Sequence, residues 1–300
     1  MDLKRAVRDF GLGVIAAVLA AGPAFGETVR WGVNAAAGGS VSLFNMRDDY
    51  RPLMDKVGRD TGTGQTVMPI FSAMVNGALE RGSHPVFLVH ADAAAPYLAD
   101  KRYRLVAVSA AADSDRIAFL VKKESNAKTL ADAAGKCVVA GATFDAAAAD
   151  LLLAQAGVRG KIKELRPVRE AEAVTFFVSN GICDIGATRS AAEIAKWEAR
   201  GGRAIFRSER LPVYAVIASS QLDAGFVRKL QASLLSFHPG AESAFVRATG
   251  IEGFLLPDAR VESLLAAFRD RSAGRNAAQR PAESGANSRP AQPAKRPEGT

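Results

Sequence analysis

Histidine is scarce. Three residues of this type, His84, His90 and His238, occur in 300, and the Gly-x-Ser-x-Gly nucleophile turn is missing. Serine, histidine and aspartate are all present, but no spacing sets one beside another, so hydrolytic chemistry has little to work with. His84, His90 and Asp92 are the one conceivable metal set, and His84 falls at the opposite end of its strand from the other two, a geometry that a shared ion does not tolerate. The reading is a non-enzyme with no metal and no cofactor. No apolar run after the first 26 residues approaches the ~20 needed to span hydrocarbon, so the remainder is expected to be soluble.

Both ends stand apart from the rest. Lys4, Arg5 and Arg8 precede an apolar run from Gly11 to Ala21, and Ala24-Phe25-Gly26 supplies the small residues that a signal peptidase reads. Residues 1–26 are therefore expected to be a cleaved export signal, and the run is too short for an anchor. From Arg271 to Thr300 the chain has no Leu, Ile, Val, Phe, Trp or Tyr, so 271–300 is expected to be a disordered basic tail. The formal charge of +8 divides into +1 on the leader, +4 on the tail and +3 on the core. The high pI thus belongs mostly to the ends, and nucleic acid is not expected as a partner.

Between the ends, strand and helix patterns alternate, which argues for α/β architecture with mostly parallel sheets. Strands are expected near 28–33, 66–70, 85–89 and 104–109, separated by helices near 48–59, 71–81 and 93–99, with Asp92 as an N-cap. The rhythm restarts at Ile117–Val121. Strands near 136–140, 162–165, 184–187 and 204–207 follow, with helices near 130–134, 145–156, 169–180 and 191–200. Pro212 to Ala218 is extended again, and helices near 224–236 and 261–268 close the core. This doubled series predicts two lobes, 27–115 joined with 211–270, and 120–207. Ligands of open α/β sheets bind beyond the carboxyl ends of the strands, so two facing lobes would hold one in their cleft.

Several segments, in this order, resemble the type II periplasmic binding family that includes phosphate, phosphite and phosphonate receptors of ABC importers. Trp31-Gly32-Val33-Asn34 resembles its opening strand, and Tyr50-Arg51-Pro52-Leu53 with Thr61-Gly62 its first helix and turn. Ala118 to Ser125 is similar to the crossing strand, Leu130 to Lys136 to the entry of the second lobe, and Asn180 to Ala187 to the strand leading to the cleft. The resemblance implies a two-lobed periplasmic binding protein type II fold with a hinge and an interlobe cleft. It also implies a periplasmic, monomeric receptor that delivers a small anionic solute to an ABC permease. The alternative is the same fold serving as accessory or sensory partner of another periplasmic or membrane protein. Phosphonate receptors of the family carry a Ser-Thr-Ser run at a helix start, where backbone N–H groups and hydroxyls hold a tetrahedral oxyanion. The matching stretch here is Gly141-Ala142-Thr143-Phe144-Asp145, with Thr143 the only hydroxyl and Asp145 read as an N-cap. Phe71 stands where the family tends to have Tyr.

The candidate lining is Ser40, Ser42, Phe71, Ser72, His90, Thr143, Arg169, Thr188 and Arg189, each just beyond an expected strand. Arg169 and Arg189 are candidates to clamp a carboxylate or oxyanion through forked hydrogen bonds. Cys137 begins one strand and Cys183 immediately precedes another. As parallel neighbours those strands would set the two α-carbons about 4.8 Å apart, near the lower end of what a disulfide spans. Export supplies an oxidising compartment, so a Cys137–Cys183 bridge is expected over a pair of buried thiols.

Overall fold

In the computed structural model the apolar runs pair into two separate sheets. The structure describes residues 28–34, 45–110, 115–141 and 143–279. The expected export signal, the loop holding Ser40 and Ser42, and residues 280–300 lie outside them.

The first sheet has six strands: β1 (Val29–Asn34), β2 (Gln65–Ile70), β3 (Val86–His90), β4 (Tyr103–Ala110), β10 (Tyr214–Ser219) and β11 (Gly253–Leu255), in the order β11-β4-β10-β3-β1-β2. The second holds β5 (Ala118–Val121), β6 (Cys137–Ala140), β7 (Glu164–Pro167), β8 (Ile185–Thr188) and β9 (Arg203–Arg207), in the order β7-β6-β8-β5-β9. The chain thus leaves the first sheet after β4 and returns to its middle as β10. Both sheets are mixed rather than mostly parallel. β1 is parallel to β2 and β3, and β6 to β7 and β8, but β5, β10 and β11 run antiparallel to every neighbour. β5 and β10 follow the two crossings, enter their sheets at the end where the parallel strands finish, and so point the opposite way.

The helices form where periodicity and end signals agree. α1 (Met46–Thr61) buries Tyr50, Leu53, Met54 and Val57 on one face, carries Asp48 and Asp49 in its first turn, and stops at Gly62, whose φ of 75° suits a residue without Cβ. Tyr50 meets Phe245 edge-on, and Phe245 meets Phe237 in the same way, which ties α1 to α7 (Ala224–Leu235) and α8 (Ala244–Thr249). In the second lobe Trp197, on α6 (Ala191–Ala199), donates from Nε1 to the Val121 carbonyl at 3.0 Å. Its indole packs against Gly202, where any Cβ would run into the ring.

Several expectations are corrected. The 71–81 helix is a 3-10 turn at Ser72–Met74 followed by α2 (Val75–Glu80), with Phe71 as its extended entry. Asp92 and Asp145 lie inside the first turns of α3 (Ala91–Ala99) and α4 (Thr143–Gln155), not at N-caps; His90 occupies the α3 cap position. α8 and β11 have no counterpart among the expected elements. The last helix, α9 (Ala259–Gln279), runs through the start of the segment expected to be disordered. Apolar content understated that stretch, because Arg271 earns its place through an ion pair with Asp150 of α4. α9 also rests on α3 and sets Phe268 against Phe144, so it spans both lobes. The remaining helix, α5 (Ala171–Ser179), covers the second sheet.

Cys137 and Cys183 are joined, with α-carbons 4.8 Å apart. The bridge lies at the amino ends of β6 and β8, which are parallel neighbours, and the Asp184 carboxylate accepts from the Cys137 N–H at 2.9 Å.

Candidate functional site

Strand direction brings several candidate side chains together. β1 and β3 end at Asn34 and His90, and antiparallel β10 begins at Tyr214, in register with His90. In the other sheet β6 and β8 end at Ala140 and Thr188, and β5 begins at Ala118 opposite Thr188. Arg189 follows Thr188, and the turn after β6 leads to Phe144 and Asp145 in the first turn of α4. The two crossings, at 115–117 and 208–213, border this space.

On the first-sheet side a hydrogen-bonded chain fixes the His90 tautomer. Ser72 Oγ donates to Asn34 Oδ1 at 3.1 Å, which turns the Asn34 amide nitrogen toward His90 Nδ1, 3.5 Å away. An amide nitrogen only donates, so Nδ1 accepts and the proton sits on Nε2. That Nε2–H is buried and has no partner among the described residues. Burial, reinforced by the positive charge of Arg189, pulls the imidazole down to about 3, so the ring is neutral at physiological pH. It stacks on Tyr214 with centroids 4.9 Å apart and touches Phe144 of the second lobe at 5.8 Å. The site thus presents a neutral donor between two aromatic rings.

On the second-sheet side Asp145 is the centre. Its carboxylate accepts from Arg189 Nε at 3.0 Å and from the Arg189 backbone N–H at 3.1 Å, with the Thr188 hydroxyl at 3.5 Å. Burial pushes this carboxyl above the usual carboxylate range, and the Arg189 charge and hydrogen bonds pull against that shift. The guanidinium lies 6.0 Å from the Phe144 ring centre and interacts electrostatically with Tyr214 and Asp115 of the first lobe and its crossing. Arg189 is therefore a charged link between the lobes, as is the Arg271–Asp150 pair. A cavity of about 540 Å³ lies where both crossings meet α9, walled by Asp115, Leu211, Leu152 and Leu264, and its lining includes neither His90 nor Arg189.

Of the sequence candidates, Ser72, His90, Thr188 and Arg189 meet in this cluster. Thr143 is the first residue of α4. Phe71 follows β2 and is more than half exposed, without a ring contact among the described residues. Arg169 follows edge strand β7, exposed and without a hydrogen bond or ion pair to the cluster. The cluster in this structure therefore holds Arg189 without Arg169. Ser40 and Ser42 lie outside the described residues. Sequence reasoning did not place Asn34, Phe144 or Tyr214 here. Asn34 was legible as a polar residue ending the first strand, but Tyr214 enters only because β10 is antiparallel. No group of residues suited to a metal ion occurs among the described residues, and none of their helices is long and apolar enough to cross a membrane.

The family model for ABC-transporter phosphonate periplasmic substrate-binding proteins matches residues 42–261. The chain belongs to the phosphonate-binding family of periplasmic ABC substrate-binding proteins. It is a family of solute-binding proteins, not of enzymes. No curated protein matches this member. Solved structures share its fold at low identity. A Xanthomonas citri protein bound to ATP is 17% identical, with a TM-score of 0.65 over 82% of this chain and 98% of its own. PhnD1 of Prochlorococcus marinus, in complex with methylphosphonate, is 12% identical, with a TM-score of 0.59 over 82% and 98%. The alkanesulfonate-binding protein SsuA of Xanthomonas axonopodis pv. citri, bound to MOPS, is 18% identical, with a TM-score of 0.56 over 83% and 93%. This phosphonate-binding-family member therefore has the two-lobed α/β fold of these proteins, with its buried polar cluster between the two sheets.

Proposed function

We propose that this chain is the exported receptor of an ABC importer and holds a small anionic solute between its lobes. The lobes are 27–115 joined with 211–270, and 120–207. The observation that carries the reading is the unpartnered Nε2–H of His90, buried where the strand ends of both sheets converge. A buried donor left without an acceptor costs stability, and a ligand oxygen would relieve that cost. Ser72 and Asn34 fix the donor, the rings of Tyr214 and Phe144 flank it, and Arg189 supplies positive charge from the opposing lobe. Closure around the solute would present a shape for a permease to recognise. The N-terminal leader is read as directing export to the periplasm.

A second reading is that the fold serves as accessory or sensory partner of another periplasmic or membrane protein. The Arg189–Asp145 pair favours it, because a guanidinium already matched to a carboxylate has less to offer a ligand. A thermal-shift screen of sulfonates, phosphonates, carboxylates and amino acids on the exported protein separates the two. A solute at 100 times its Kd should stabilise by about 2.7 kcal/mol. A protein that responds to none of them contradicts the receptor reading.

A further inference from the structure

The N-terminus of α4, a helix of 13 residues, is where the backbone would greet an incoming anion, and here a side chain of the protein already fills that role. Asp145 is 6% exposed and takes both the Nε and the backbone N–H of Arg189. The preceding turn is shaped around it, since a Cβ added at Gly141 would lie 2.8 Å from Asp145 Oδ2. Arg189 is the single cationic side chain among the described residues of the cluster, and Asp145 balances it. His90 contributes a donor without a charge.

We propose that Asp145 is a built-in anion that sets the charge limit of the cleft, so that the site accepts a solute with no more than one negative charge and rejects tetrahedral dianions. This deepens the receptor reading and rests on it. A dianion would face the Asp145 carboxylate across a poorly solvated space with no second cation in the cluster to offset the repulsion. A monoanion such as a sulfonate shares Arg189 with Asp145 and directs its oxygens to the His90 Nε2–H.

Sulfate and methanesulfonate test this together with the Asp145 variants, because both are tetrahedral at sulfur and methanesulfonate replaces one charged oxygen with a methyl group. Calorimetric titration of the exported protein at pH 8 should show methanesulfonate binding at least tenfold more tightly than sulfate. Asp145→Asn, which keeps the shape and removes the charge, should gain at least tenfold in sulfate affinity. Asp145→Ser, which leaves a short polar group in the first turn, serves as the second variant should the Asn form not fold. Wild-type protein that binds sulfate as well as methanesulfonate overturns the proposal, as does a folded variant that gains no sulfate affinity. Failure of the receptor reading looks different: wild type would ignore every solute of the wide screen while Asp145→Asn still took up sulfate.

Discussion

Reducing the Cys137–Cys183 bridge should destabilise the protein without disturbing its site. The bridge closes a loop with a sequence separation of 46. In the chain-entropy model, losing a cross-link over a loop of this length releases about 13 cal/mol/K to the unfolded chain, or about 4 kcal/mol at 25 °C. With the core unfolding as one unit, this corresponds to a fall in Tm of roughly 8–16 °C. Two samples separate the cross-link from packing: wild type with both thiols reduced, and Cys137→Ala/Cys183→Ala. Both cysteines are buried, so the alanine form also loses packing at two positions and should melt slightly lower than the reduced wild type. The assay is thermal unfolding followed by circular dichroism, after thiol titration of the unfolded, unreduced protein has found no free thiol. Solute affinity below Tm should change less than about twofold, because the bridge joins the strand ends opposite the cluster. A fall in Tm under about 2 °C would mean that the bridge does not restrict the unfolded chain, and lost binding in a protein that still melts cooperatively would mean that its role is not purely structural.

Three further outcomes follow from packing and charge. Gly202→Ala should cost about 2–4 kcal/mol in urea unfolding, because the new Cβ displaces the Trp197 ring and its bond to Val121; unchanged stability and tryptophan emission would show that the ring has room to move. Arg271→Ala should cost about 1.5–3 kcal/mol, since buried Asp150 then keeps only Arg159 of its two partners, and a neutral effect would place Arg271 in the solvated tail after all. His90 is held neutral in the folded state, with its pKa depressed to about 3 from an ordinary value near 6.5. The unfolded chain therefore binds the extra proton first, and the His90 contribution is intact above about pH 6.5 and is lost as pH falls toward 3. Stability between pH 6.5 and 4.5 should decline more steeply in wild type than in His90→Gln; parallel slopes would mean that the ring titrates freely.

The alternation of strands and helices was legible because each element carries its own period, as the Tyr50, Leu53, Met54 and Val57 stripe of α1 does. Strand direction was not, since the runs that become β5 and β10 read the same whichever way they lie in a sheet. That one ambiguity hid Tyr214, which joins the site by pairing backward with His90. The helix expected near 261–268 extends further as α9, because Arg271 is held by its ion pair with Asp150 rather than by apolar burial. In the site, His90, Thr188 and Arg189 could be placed from strand ends alone. The partnership of Arg189 with Asp145 depends on two residues 44 positions apart meeting across adjacent strand ends, which local pattern does not encode.

In the receptor reading a solute occupies the space between the lobes and is held by His90 and Arg189. The direct measurement is the calorimetric affinity of the strongest solute from the screen for wild type, His90→Gln and Arg189→Lys, each first shown to be folded by its thermal transition. Loss of affinity by at least tenfold in both variants is the predicted result, in keeping with the loss of a buried donor and of a planar guanidinium. A solute that binds both variants within about twofold of wild type would place the ligand elsewhere and contradict the account.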